Sequence, residues 1–344
     1  MRLPRTCTSV LFQSVLLLLV FQCPPGILAV TSSSKLLVRA TVEAIHQHYT
    51  TITSKQLYLR WEGASELIDE LLKRVSTHLT VLVESNPKQP VDQLPTVPEL
   101  HQQMRVLNLL IVADYQGFRR VVDGFSDEVY DFSGLYTVVV AKRSERDLEI
   151  AGAILRTLWT LYIVNAVVLI EPTDHTATNG VRLYTYFPYG EGYCERALPV
   201  IWNVYEPSIG FIHRDRVLFP RKLSNFYNCP LVVATFPVFP FIIPAPDGGN
   251  NELGGIEGLL LRTLMQRLNF QLQVIIVEPP DWGTAGPRDQ STGASAYVSR
   301  HKKTSESTHF NLLICNVIHV TLQILDSTSS SEPNHRLLGD YIAP

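Results

Sequence analysis

An excess of positive charge is missing from this sequence. Over 344 residues, 29 lysines and arginines stand against 32 aspartates and glutamates, and no basic stripe breaks the balance. That argues against a nucleic-acid partner. Cysteine is scarce, with five in all and no Cys-x-x-Cys pair, so no structural zinc is expected. There is no Asn-x-Ser/Thr sequon, and N-glycosylation is not predicted. Long apolar runs are confined to the first 30 residues. The best later candidate, residues 157–170, spans about 14 residues, contains Asn165 and follows Arg156, too short and too polar to cross a bilayer. Enzyme signatures are missing as well: no Gly-x-Ser-x-Gly elbow, no phosphate-binding Walker loop and no His-Glu-x-x-His. The expectation is therefore no catalytic residues, no metal and no cofactor.

The N-terminus carries a positive signal. Arg2 and Arg5 precede an apolar run over residues 10–21, and Pro24, Pro25, Gly26 and Ala29 follow. This is the order of a secretory signal peptide over residues 1–29, cleaved after Ala29, with a membrane anchor as the alternative. Cys7 and Cys23 leave with it. In an oxidising compartment Cys194 and Cys229 are then the expected disulfide partners, and Cys315 is the odd one out. Two free buried thiols are the alternative.

Hydrophobic content of 46% and charged content of 18% mark a globular chain. Leu36, Leu37, Ala40, Ala44 and Ile45 recur at helical spacing, and residues 65–78 put Leu67, Ile68, Leu71, Leu72 and Val75 on one face. Residues 56–61, 80–84, 106–113, 136–141 and 166–170 read as strands, and residues 118–125 and 145–162 as helices. Continuous apolar strands separated by helices predict an α/β fold with a mostly parallel sheet covered on both faces, over residues 30–221. A second region, residues 222–294, reads as strand (230–236), helix (256–269) and strand (271–277), one crossover unit that cannot bury its own sheet. Residues 295–344, rich in serine and threonine, are expected to form an irregular, mostly disordered tail.

Few residues invite chemistry. The glycine-rich loop 248–258 opens a helix, where free N–H groups can hold an anion, with a loop-and-cap reading as the alternative. His213 and Asp215 lack a third partner, and His46 and His48 lie on a polar helix face; both pairs read as solvated surface. Phe236, Val238, Phe239 and Phe241 with Pro237 and Pro240 suit a cleft wall or an ordinary hydrophobic strand end. Asp281-Trp282-Gly283 leaves the second strand of the same unit, so both loops would face one cleft.

Several of these residues also carry a likeness. Residues 230–235 with Phe239-Pro240-Phe241, then Gly255-Ile256-Glu257-Gly258, Leu268-Asn269-Phe270 and Asp281-Trp282-Gly283, occur in an order that resembles the start of the ligand-binding domain of ionotropic glutamate receptors. Tyr186-Phe187-Pro188-Tyr189 before Cys194, and residues 219–226 leading into Cys229-Pro230, resemble insect ionotropic receptors more closely. The resemblance covers residues 181–294, is architectural over 32–180 and stops at Ser295. It implies a periplasmic-binding-protein-like lobe, begun but not completed, behind an amino-terminal α/β domain. It also implies a small-molecule ligand, an extracellular position at the plasma membrane, and tetramers formed with co-receptor subunits around a cation pore. Trp282 matches the aromatic that packs on an amino-acid ligand, Val238 stands where glutamate receptors place a ligand-contacting glutamate, and Phe241 lies beside it. The valine argues against glutamate as ligand. No pore segment or second lobe is matched, so the chain reads as a shortened form that is not itself a channel. The alternative is a secreted solute-binding protein, which would need both lobes. Expression in a secreting cell should yield a chain beginning at Val30; N-terminal sequencing that starts at Met1 would exclude cleavage.

Overall fold

Side chains alternate across a strand, so a strand apolar at every position needs a core on each side. The computed structural model, which describes residues 26–49, 56–63, 65–77, 79–83, 105–125, 129–173, 180–244, 253–284, 292–301 and 310–313, shows both cores. Its first elements are α1 (Gly26–His48), β1 (Gln56–Glu62), α2 (Ser65–Val75), β2 (Thr80–Val83), β3 (Arg105–Val112), α3 (Tyr115–Val122), β4 (Tyr130–Ser144), α4 (Asp147–Thr160) and β5 (Ala166–Pro172). The five strands are parallel, in the order β2-β1-β3-β4-β5. Leu107, Leu109 and Ile111 of β3 and Val167 and Leu169 of β5 pack with α1 and α2. Leu110 and Val112, with Ala166, Val168 and Ile170, pack on the opposite side with α3 and α4. Each such side chain contributes about 1.5–3 kcal/mol by leaving water.

Local signals set the helix ends. Asp114 caps α3 by accepting the Gly117 N–H at 3.0 Å. At the end of α1, buried Tyr49 shares a 2.7 Å hydrogen bond with Thr137, fixing the helix to β4.

Three antiparallel strands complete the large sheet: β6 (Val181–Thr185), β7 (Val200–Glu206) and β8 (Gly210–Phe211). They do not stand out in the sequence because β6 and β8 are short and a register shift between Leu183 and Tyr184 interrupts the pairing of β6 with β7.

A smaller sheet follows. Its strands are β9 (Cys229–Thr235), β12 (Phe270–Ile276) and β13 (Phe310–Leu313), with α5 (Gly255–Leu268) and α6 (Gly293–His301) between them, and β10 (Ile243–Pro244) and β11 (Leu253–Gly254) form a separate two-stranded ribbon. β9 is central, with β12 and β13 parallel on either side. Two elements thus extend into the stretch expected to be irregular. α6 runs unbroken across Ala294 and Ser295, and β13 adds a second crossover, so the small sheet buries both faces of β9. Neither periodicity is clean there, which hid both elements. Residues 302–309 and 314–344, like residues 1–25, lie outside the described residues. The expected cleavage point after Ala29 falls in the first turns of α1.

Three contacts join the sheets. Cys194, after β6, is bonded to Cys229, the first residue of β9. Trp159 of α4 packs against both cores, meeting Tyr186 and Tyr189, and Tyr189 lies 4.5 Å from Phe226. Lys222, from the linking segment, donates to the Val164 and Ala166 carbonyls at the start of β5. The disulfide closes a loop with a sequence separation of 35. Replacing both cysteines with serine should lower the unfolding free energy by about 3–4 kcal/mol on loop entropy, read by urea denaturation; an unchanged midpoint would place the stabilisation elsewhere.

Candidate ligand-binding site

The small sheet is crossed on both sides. α5 covers the face of Leu231 and Val233, while Ala294 and Tyr297 of α6 cover that of Ala234. The first crossover leaves β9 and reaches β12 through α5, and the second leaves β12 and reaches β13 on the other side of β9 through α6, so the strand order reverses at β9 and a topological switch point lies at its carboxyl end, where open α/β sheets hold ligands. The chain there is Thr235-Phe236-Pro237-Val238. Thr235 is fully buried, and among the described residues its hydroxyl has no hydrogen-bond partner.

Val238 and Ile242 exchange backbone hydrogen bonds of 3.1 and 2.8 Å, closing a tight loop that carries Phe239, Pro240 and Phe241 at its tip. Phe239 is 84% exposed and Phe241 is 46% exposed, while Val238 is half-buried. The Pro240 and Phe241 carbonyls accept the N–H groups of Ile256 and Glu257, the first residues of α5 after Gly255. Those N–H groups are spent on the protein's own backbone, so the expected anion-holding role of this helix start gives way to the loop-and-cap alternative. Glu257 beside them has its carboxyl pushed up by burial.

The second loop leaves β12. Asp281 accepts the Gly283 N–H through its side chain and the Ala294 N–H through its carbonyl, both at 2.9 Å. The Trp282 carbonyl accepts the Ser295 N–H at 3.1 Å and its hydroxyl at 2.9 Å. These bonds fasten the loop to the start of α6 and lay Trp282 over Phe236, ring centroids 4.3 Å apart. The structure therefore brings Trp282 to the same sheet end as the Val238–Phe241 loop. The fastening by α6 was not legible in the sequence, because that helix was not expected.

Other singled-out residues play structural parts. His213 exchanges backbone hydrogen bonds with the Asn203 carboxamide. His48 is not solvated surface: its Nδ1 accepts the Leu218 N–H at 3.3 Å, and burial pushes its pKa down. Asp147 is buried at the start of α4, where Tyr184 and Arg182 donate to it at 2.6 and 3.0 Å. That network gave no sequence signal.

Among the described residues no helix is long and apolar enough to cross a membrane. A large, mostly parallel sheet joined to a smaller one whose loops gather at a switch point is consistent with a periplasmic-binding-protein-like ligand-binding domain. The family model described as "Putative ionotropic receptor, ligand binding domain" matches residues 29–225, and the chain belongs to that family. No curated protein matches it. Membership gives the chain an extracellular role in binding a small-molecule ligand, in a family of receptors rather than enzymes. The match covers the large sheet and the linking segment and ends just before β9.

Gly255 supports the loop directly. Its φ is +81°, and a Cβ there would collide with the Pro240 and Phe241 carbonyl oxygens. Gly255→Ala should cost about 1–3 kcal/mol and raise hydrogen exchange at Ile256 and Glu257; unchanged exchange would show that these carbonyls do not hold the helix start.

Proposed function

We propose that this chain is the extracellular portion of a chemosensory ionotropic-receptor subunit of the insect type, and that its ligand meets the carboxyl end of the small sheet between Trp282 and the Val238–Phe241 loop. The observation that carries the reading is Trp282 laid over Phe236 at the switch point, held there by the first turn of α6. An aromatic fixed by its own backbone offers a flat face at little entropic cost, and neighbouring Val238 and Phe241 add apolar wall. The wall carries no acid at Val238, which suits small apolar or weakly polar ligands better than glutamate. Residues 30–221 form the amino-terminal domain and residues 222–294, extended by α6 and β13, the first part of a ligand-binding lobe. Entry into the secretory pathway is expected of this chain, while membrane attachment, a cation pore and tetramers with co-receptor subunits are features of the family's channels, of which this chain supplies an extracellular part and not the pore. A bound ligand acts by favouring one arrangement of the lobe over another.

A second reading rests on the family match, which lies over residues 29–225: the ligand is held by the large sheet instead. Tryptophan fluorescence of the purified chain, titrated with a panel of small alcohols, aldehydes, esters and L-glutamate, separates the two. Binding of an uncharged compound from the panel should weaken about tenfold in Trp282→Leu, a loss of about 1.4 kcal/mol, with no response to glutamate. Affinity unchanged by Trp282→Leu would move the ligand to the large sheet.

A further inference from the structure

Lys222 sits where a lysine is costly. It is 5% exposed, on the segment that links β8 to β9. Its Nζ donates to the Val164 carbonyl at 2.7 Å and the Ala166 carbonyl at 3.3 Å, and stands 4.4 Å from the centre of the Tyr186 ring. An ammonium has three N–H donors, and two carbonyls and a ring face receive them. No carboxylate is among these contacts. Dipoles and a ring quadrupole replace only part of the water that a buried charge gives up. The neutral amine needs no such compensation and still has two N–H groups for the two carbonyls.

The placement matters as much as the burial. All three acceptors belong to the large sheet: Val164 and Ala166 at the start of β5, and Tyr186 just after β6. The lysine belongs to the segment that carries the small sheet. Withdrawing the side chain would hydrate the ammonium and loosen that segment, while the Cys194–Cys229 bond keeps the sheets tethered. Burial pushes the Lys222 pKa well down. The titratable group against it is Tyr186, raised by its own burial, and Tyr186 in turn acts on Tyr189, which also feels Glu195 and Tyr162. Arg221, next in sequence, is exposed.

We propose that Lys222 makes the joint between the two sheets proton-dependent, inserted when its amine is neutral and withdrawn to water when the amine is protonated. The sign follows from proton counts. Between the depressed value of the inserted amine and the ordinary lysine value, the withdrawn state binds more protons, so raising pH favours the closed joint. This holds wherever the ligand binds.

Hydrogen exchange of the full chain at pH 6 and pH 9, corrected for intrinsic rates, reads the joint over residues 160–170 and 222–228. Protection there should rise about tenfold or more with pH in the wild type, because the withdrawn state binds the extra proton across that range. In Lys222→Met it should be high at both values. Equal protection at both pH values in the wild type, or the same pH response in Lys222→Met, would overturn the proposal. Nitrogen-15 NMR titration of the Lys222 Nζ in the wild type stands independently of that variant's folding: titration well below the ordinary lysine range supports the joint, and titration at the ordinary value ends it.

Discussion

A parallel sheet buried on both faces is the constraint on which this protein is built. Each strand must supply apolar side chains in both directions, and each crossover must bring a helix to one face or the other. In the large sheet, alternate residues of β3 and β5 divide between the α1–α2 core and the α3–α4 core. The small sheet repeats the arrangement on a reduced scale. Its order β12-β9-β13 matches β2-β1-β3 in having the first strand between the second and third. Covering both faces of β9 forces successive crossovers to opposite sides, and that divergence opens the space at the strand's carboxyl end. The candidate site is a by-product of burying the sheet.

Contacts of three different kinds join the two sheets among the described residues. A disulfide, an aromatic cluster around Trp159 and a single buried lysine join them. These contacts differ in kind. The disulfide limits how far the sheets can separate, the aromatic cluster supplies non-directional burial, and Lys222 supplies directional hydrogen bonds at an electrostatic cost. A joint of this composition permits a small rearrangement without unfolding either core.

Much of the architecture was legible. Trains of Val, Leu and Ile in β3, β4 and β5 read as parallel strands because burial on both faces removes the polar alternation. The faces of α2 and α5 read as helices from their spacing. The Cys194–Cys229 pair followed from compartment and number, and the order of the 236–241 and 281–283 loops placed them at one sheet edge. What escaped has identifiable causes. β6 and β8 are short, and a register shift interrupts the pairing of β6 with β7. α6 and β13 lie in polar sequence without a clean period. The Asp147–Arg182–Tyr184 network and the Lys222 contacts join residues far apart in the chain, and such contacts leave no local pattern.

The sequence by itself determined the class of fold and most of the strands and helices of the large sheet, and it named Cys194 and Cys229 as the expected partners of a disulfide. Periodicity and composition are local properties, and these features depend on local burial. Only the tertiary structure decided that the start of α5 is sealed by the Pro240 and Phe241 carbonyls, that Trp282 lies on Phe236, and that Lys222 is enclosed against the Val164 and Ala166 carbonyls and the Tyr186 ring. Those facts depend on which backbone atoms arrive at the same point in space, and that is set when distant elements pack together.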